Sequence, residues 1–141
     1  MGKKQANEKT AFNVEIFGGE ERQKLRSKIV SGGILTVEFD GKAGSVLASI
    51  CNKDRVIGFS YSQNTEKAII RSIGNYNAVE TKESLINDLV KQGWVFKLRW
   101  LIVSKTFEAR LEKNDEFKVA ESDNFVHAIR GLLKRKRRKR K

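Results

Sequence analysis

Hydrophobic positions in this chain alternate in some stretches and recur every three or four residues in others, and the two periods divide it into strands and helices. The longest apolar run, Trp94–Val103, alternates. Trp94, Phe96, Leu98, Trp100 and Ile102 fall on one face, and Val95, Lys97, Arg99, Leu101 and Val103 on the other. It reads as the central strand, its first face in the core. The second face mixes two cations with three aliphatics, so it reads as either partly covered or a surface that meets something anionic.

Upstream, Ala11–Phe17 alternates with Phe12, Val14 and Ile16 on one side and predicts a first strand ending at Gly18-Gly19. Glu20–Val30 predicts a helix: acids stand in its first turn, Lys24, Arg26 and Lys28 follow, and Leu25 and Ile29 make an i, i+4 stripe. Ile34–Phe39, a segment around Lys42–Ser49 that periodicity alone does not assign, and Arg55–Ser62 together read as a meander turning at Asp40-Gly41 and Asn52-Lys53-Asp54. Ile57, Phe59 and Tyr61 share one side of its last strand. Glu66–Ile73, capped from Gln63-Asn64-Thr65, is a short helix. Thr81 is expected to cap a longer one, Lys82–Gln92, with the stripe Leu85, Ile86, Leu89 and Val90 and Gly93 as its stop.

After the central strand, Thr106–Lys113 places Phe107, Ala109 and Leu111 inward. Asn114-Asp115 turns into Glu116–Ala120, and Ser122 or Asp123 is expected to cap a last helix, Asp123–Leu133, with Phe125, Ile129, Leu132 and Leu133 on one stripe. From Thr81 onward this order of helix, three antiparallel strands and helix resembles the topology of a double-stranded-RNA-binding domain, over less than half of the chain. That family reads phosphates with lysines at the start of its second helix, where this chain has Asp123-Asn124-Phe125, so the resemblance implies a topology and carries no binding residues over.

The expected fold class is therefore α+β: an antiparallel sheet with several short helices and a C-terminal αβββα arrangement. Residues 1–10 read as a disordered N-terminus, 11–133 as one domain with a candidate seam near 75–80, and 134–141 as a disordered basic tail.

Charge changes the picture at one place. The net charge is +12, but Lys134, Arg135, Lys136, Arg137, Arg138, Lys139, Arg140 and Lys141 contribute eight of it, leaving a body of only +4. Eight adjacent cations repel one another and do not pack, so a polyanion is their natural partner. Lys97, Arg99 and Arg110 are candidates for further phosphate contacts on the outer sheet face. A stacking platform for bases needs aromatics on the same face as the cations. Trp94 and Trp100 alternate with Lys97 and Arg99, which places the tryptophans in the core instead.

One Cys51 and one His127 allow no internal disulfide and no Cys/His zinc site of the usual composition within one chain. Cys51 reads as a passive small residue and His127 as a solvated one. Carboxylates at Asp40, Asp88, Glu108 and Glu112 could hold magnesium as in a nuclease, but no spacing singles them out, and Glu108, Arg110 and Glu112 read better as surface ion pairs. No run is long enough to span a bilayer and the start lacks a signal peptide's apolar core. The sequence thus points to a non-enzymatic, intracellular and cytoplasmic protein, nuclear in a eukaryotic cell, without cofactor, that binds DNA or RNA largely independently of sequence. The alternative is a viral or plasmid-type protein that inhibits a host protein partner, its tail an import signal or solubiliser.

Overall fold

The computed structural model describes residues 10–78 and 83–133. Helix α1 (Gly19–Val30) leads into strands β1 (Gly33–Asp40), β2 (Ser45–Asn52) and β3 (Arg55–Ser62) and then helix α2 (Thr65–Ser72). Helix α3 (Leu85–Lys91), strands β4 (Val95–Leu101), β5 (Thr106–Lys113) and β6 (Glu116–Ser122) and helix α4 (Phe125–Leu133) repeat that order. The fold is α+β, a six-stranded antiparallel sheet in the order β3-β2-β1-β4-β5-β6. β4 is central as expected, but it shares the centre with β1. The expected C-terminal αβββα unit is present, and a second one precedes it.

The two units correspond residue by residue. Gly32 and Gly93, Gly44 and Lys105, and Lys53 and Asn114 lie 61 positions apart, and each pair has the same left-handed backbone, φ 114° and 108°, 67° and 58°, 59° and 54°. β2 and β5 are offset by the same amount. In β3 the pairing steps from Ile50↔Gly58 to Cys51↔Val56, so Ile57 is an extra, bulged residue and the offset beyond it falls to 60. Ser62-Gln63-Asn64 then matches Ser122-Asp123-Asn124, and Ala68-Ile69 matches Ala128-Ile129. In both units the serine hydroxyl accepts from the asparagine N–H, at 3.3 and 3.2 Å, and the asparagine side chain caps the helix. The units join where β1 pairs with β4 through Leu35↔Leu98, Thr36↔Lys97 and Val37↔Phe96, which places a local dyad beside Thr36 and Lys97.

The helices cover one face of this sheet. Leu35, Val37, Val46, Ala48, Ile50, Phe96, Leu98, Phe107, Ala109 and Leu111 are buried beneath them, with Leu25 and Ile29 of α1, Ile69 of α2, Ile86 and Val90 of α3, and Phe125 and Ile129 of α4. Each large side chain so buried contributes about 1.5–3 kcal/mol. Trp94, Trp100, Leu85 and Leu89, expected in the core, pack against its margin and stay partly exposed.

Four expectations need correction. Ala11–Phe17 is not a strand: Thr10 and Ala11 carbonyls accept from the N–H groups of Leu85 and Ile86, and residues Val14–Ile16 form a 3-10 turn capped by the Asn13 side chain. Phe12 and Phe17 are buried all the same, their rings 5.3 Å apart. α3 begins at Leu85 because Ser84 is its cap, accepting from the Asn87 N–H. β4 ends at Leu101 because the chain turns there, with the Lys105 N–H donating to the Leu101 carbonyl at 2.8 Å, so Ile102 and Val103 are 78% and 99% exposed. α4 is capped by Asn124, one residue beyond the expected caps. The N-terminal residues expected to be disordered lie outside the described residues, except Thr10; so do the end of the candidate seam, the expected cap Thr81 and Lys82.

Candidate nucleic-acid interface

The tail grows out of α4. The Asn124 side chain accepts from the N–H groups of Val126 and His127 at 2.9 and 3.2 Å and starts the helix, whose Phe125, Val126, Ala128, Ile129, Leu132 and Leu133 are buried. The last residue before the cations is thus held in the core. Lys134, Arg135, Lys136, Arg137, Arg138, Lys139, Arg140 and Lys141 themselves lie outside the described residues.

Lys97, Arg99 and Arg110 lie together on the sheet face opposite the helices. Strand pairing there sets up a row across all six strands, Phe59–Ser49–Thr36–Lys97–Arg110–Val119. None of the three cations is bare. Arg99 Nε donates to Glu108 Oε1 at 2.8 Å, Arg110 Nε donates to Glu112 Oε2 at 2.7 Å, and Lys97 Nζ lies 3.3 Å from Glu112 Oε1. Partial desolvation pushes the Glu112 carboxyl up, but Lys97 and Arg110 outweigh it and hold the group below the usual carboxylate range. The Arg110 guanidinium also lies 4.7 Å over the Phe117 ring. With Ile34, Thr36 and Cys51 these charged groups line a shallow depression of about 380 Å³. Glu38, Asp40 and Glu121 share the face, so its five carboxylates outnumber its three cations.

The tryptophans are on the helix side, as alternation requires: Trp100 packs edge-on against buried Phe107 at 4.8 Å. The aromatics of the open face are Phe59, Tyr61 and Phe117, exposed by 58%, 42% and 60%. Sequence patterning missed them because the edge strands invert the usual rule. α2 approaches β3 so closely that a Cβ on Gly58 would stand 2.2 Å from the Ser72 carbonyl oxygen, so the small residues Gly58 and Ser60 face the helix. The aromatics between them are forced outward. On β6, Ala120 meets Gly131 of α4 in the same way. The readable signal is the alternation of small with aromatic residues in Gly58-Phe59-Ser60-Tyr61.

Chemically reactive groups do not converge. His127 is exposed, and Cys51 is a half-buried free thiol on the open face. Among the described residues no group of three His, Cys, Asp or Glu side chains is arranged to hold a metal ion. Glu108 and Glu112 share one face of β5, whereas Asp88 belongs to α3 on the other side of the sheet. No helix among the described residues is long and apolar enough to cross a membrane. Comparison with protein-family models, with curated proteins and with solved structures finds no match to this chain.

Proposed function

We propose that the protein is a small non-enzymatic nucleic-acid-binding protein that engages DNA or RNA largely without sequence preference, through Lys134–Lys141. The observation that carries the reading is the run of eight cations beginning one residue after Leu133, which is buried in the core. The run follows directly on a residue held in the core, and eight adjacent cations match the charge of a phosphate backbone. Such cations read backbone charge and not base edges, hence the weak sequence preference.

The body has a smaller share. Lys97, Arg99 and Arg110 already hold carboxylates at 2.7–3.3 Å, and phosphate has to displace those partners to gain them. On α1, Arg22, Lys24 and Arg26 are exposed and supplement the tail.

Salt titration separates these contributions. Five to eight phosphates neutralised on a duplex imply a slope of log K against log salt of about −4 to −7, and a chain ending at Leu133 should fall to about −2 or less. An unchanged slope after truncation moves binding to the folded body. Failure of both chains to bind one duplex and one single strand sinks the proposal in favour of an import signal or a protein partner.

A further inference from the structure

An antiparallel sheet can leave one face to water, but such a face is then polar. Here the open face exposes Phe59 and Tyr61 on one edge strand, Phe117 and Val119 on the opposite edge strand, and Ile34 on β1 between them, so both margins of the face are apolar. The nearest anionic candidate, a single nucleic-acid strand stacking on these rings, would meet five carboxylates against three cations that are already paired. Electrostatics therefore oppose a polyanion on this face and favour a partner that is apolar at its margins and mixed in charge at its centre.

We propose that this partner is a second copy of the chain, packed face to face across the open sheet. The size is right: six strands about 4.8 Å apart, with about 3.3 Å rise per residue over eight residues, give a face of roughly 600–700 Å². Two such faces bury about 1,300 Å², within the range of stable specific interfaces.

Charge selects the orientation. A dyad running across the strands would lay β5 on the β5 of the partner subunit, setting like charges over one another. A dyad parallel to the strands, between β1 and β4, lays β3 on the partner's β6 instead. Tyr61 then lies over Phe117 of the partner subunit and Phe59 over Val119 of the partner subunit, since each pair occupies the same row of the sheet. Glu38 comes within one row of Lys97 of the partner subunit, an attractive pairing. The assembly is a closed sandwich of two sheets with the helices outside. It places two basic tails on one particle.

The test is sedimentation of the full-length, nuclease-treated protein in about 0.5 M salt, where bridging by nucleic acid is screened out. The expected species has twice the 16.1 kDa chain mass. Tyr61→Arg and Phe117→Glu, both at exposed positions and checked for unchanged circular dichroism, should each weaken the dimer by about tenfold or more. The double variant should regain most of that loss, because the dyad sets each new arginine against a new glutamate. A wild type that stays monomeric to about 100 µM overturns the proposal. So does a dimer indifferent to both single changes, or a double variant no better than either. A monomer whose single-strand binding drops with Tyr61→Arg assigns the face to nucleic acid instead.

Discussion

Asn13 and Glu66, 53 residues apart, are joined by a hydrogen bond of 2.8 Å from the Asn13 backbone N–H to Glu66 Oε2. Glu66 is fully buried at the start of α2 and is also hydrogen-bonded by the Ser84 side chain. Alongside it the Thr65 N–H donates to the Asn87 side chain at 2.8 Å. One carboxyl thus ties the entry segment, α2 and the start of α3 together, at a place where the second unit has the apolar Val126.

Burial pushes the Glu66 carboxyl above its ordinary value, and the hydrogen bonds from Ser84 and Asn13 only partly offset this. The folded state therefore holds this proton more tightly than the unfolded chain. Its contribution to stability is complete below the unfolded pKa and is lost as pH rises through the folded one. Glu66→Gln removes the titration while keeping the shape. The melting-temperature difference, variant minus wild type, should become more positive from about pH 4 to pH 9. A flat difference would show that Glu66 titrates normally.

Glu112 should behave with the opposite sign. Its depressed pKa gives stability that is present above the unfolded value and lost as pH falls through the folded one. Because Lys97, Arg110 and Glu112 are all partly exposed, the effect is small, under about 1 kcal/mol. Glu112→Gln should flatten only the acid limb of the stability profile, and high salt should mimic it; denaturant melts at several pH values check both.

Asn64 and Asn124 perform the same capping in different units. Each Asn→Ala change should cost about 1 kcal/mol. The two share no hydrogen-bond partner, so the double variant should lose the sum to within about 0.5 kcal/mol. Urea melts of the three variants measure this, and a large departure from additivity would mean that the halves are energetically coupled through the β1–β4 seam.

Gly58 and Gly41 make a contrasting pair. A methyl at Gly58 would press on the Ser72 carbonyl oxygen of α2, whereas one at Gly41 meets nothing within 4 Å. Gly58→Ala should destabilise by about 3 kcal/mol and Gly41→Ala by less than about 0.5 kcal/mol. Equal melting temperatures for the two variants would mean that α2 moves freely away from β3.

Local pattern alone determined most of the elements, because a residue's period and its neighbouring turn chemistry are properties of a short window. Thr106–Lys113 emerges from strict alternation with the boundaries it has in the fold, and α1 lacks only Gly19 of its observed span. The tail's charge and its position one residue past Leu133 are equally independent of folding. Tertiary structure decided what a window cannot hold. Ala11–Phe17 alternates like a strand, yet its Ala11 carbonyl and Asn13 N–H are taken by Ile86 and Glu66, and the preceding Thr10 carbonyl by Leu85, residues far along the chain. Phe59 and Tyr61 look like core residues, and the close approach of α2 turns them to the surface. The doubled αβββα unit was present in the sequence as Ser62-Gln63-Asn64 and Ser122-Asp123-Asn124, but few identities survive because the halves face different neighbours: the position filled by the buried Glu66 of one is Val126 in the other. Backbone conformation kept the correspondence where side chains lost it, since a turn requires a left-handed φ at Lys53 and Asn114 whatever residue stands there.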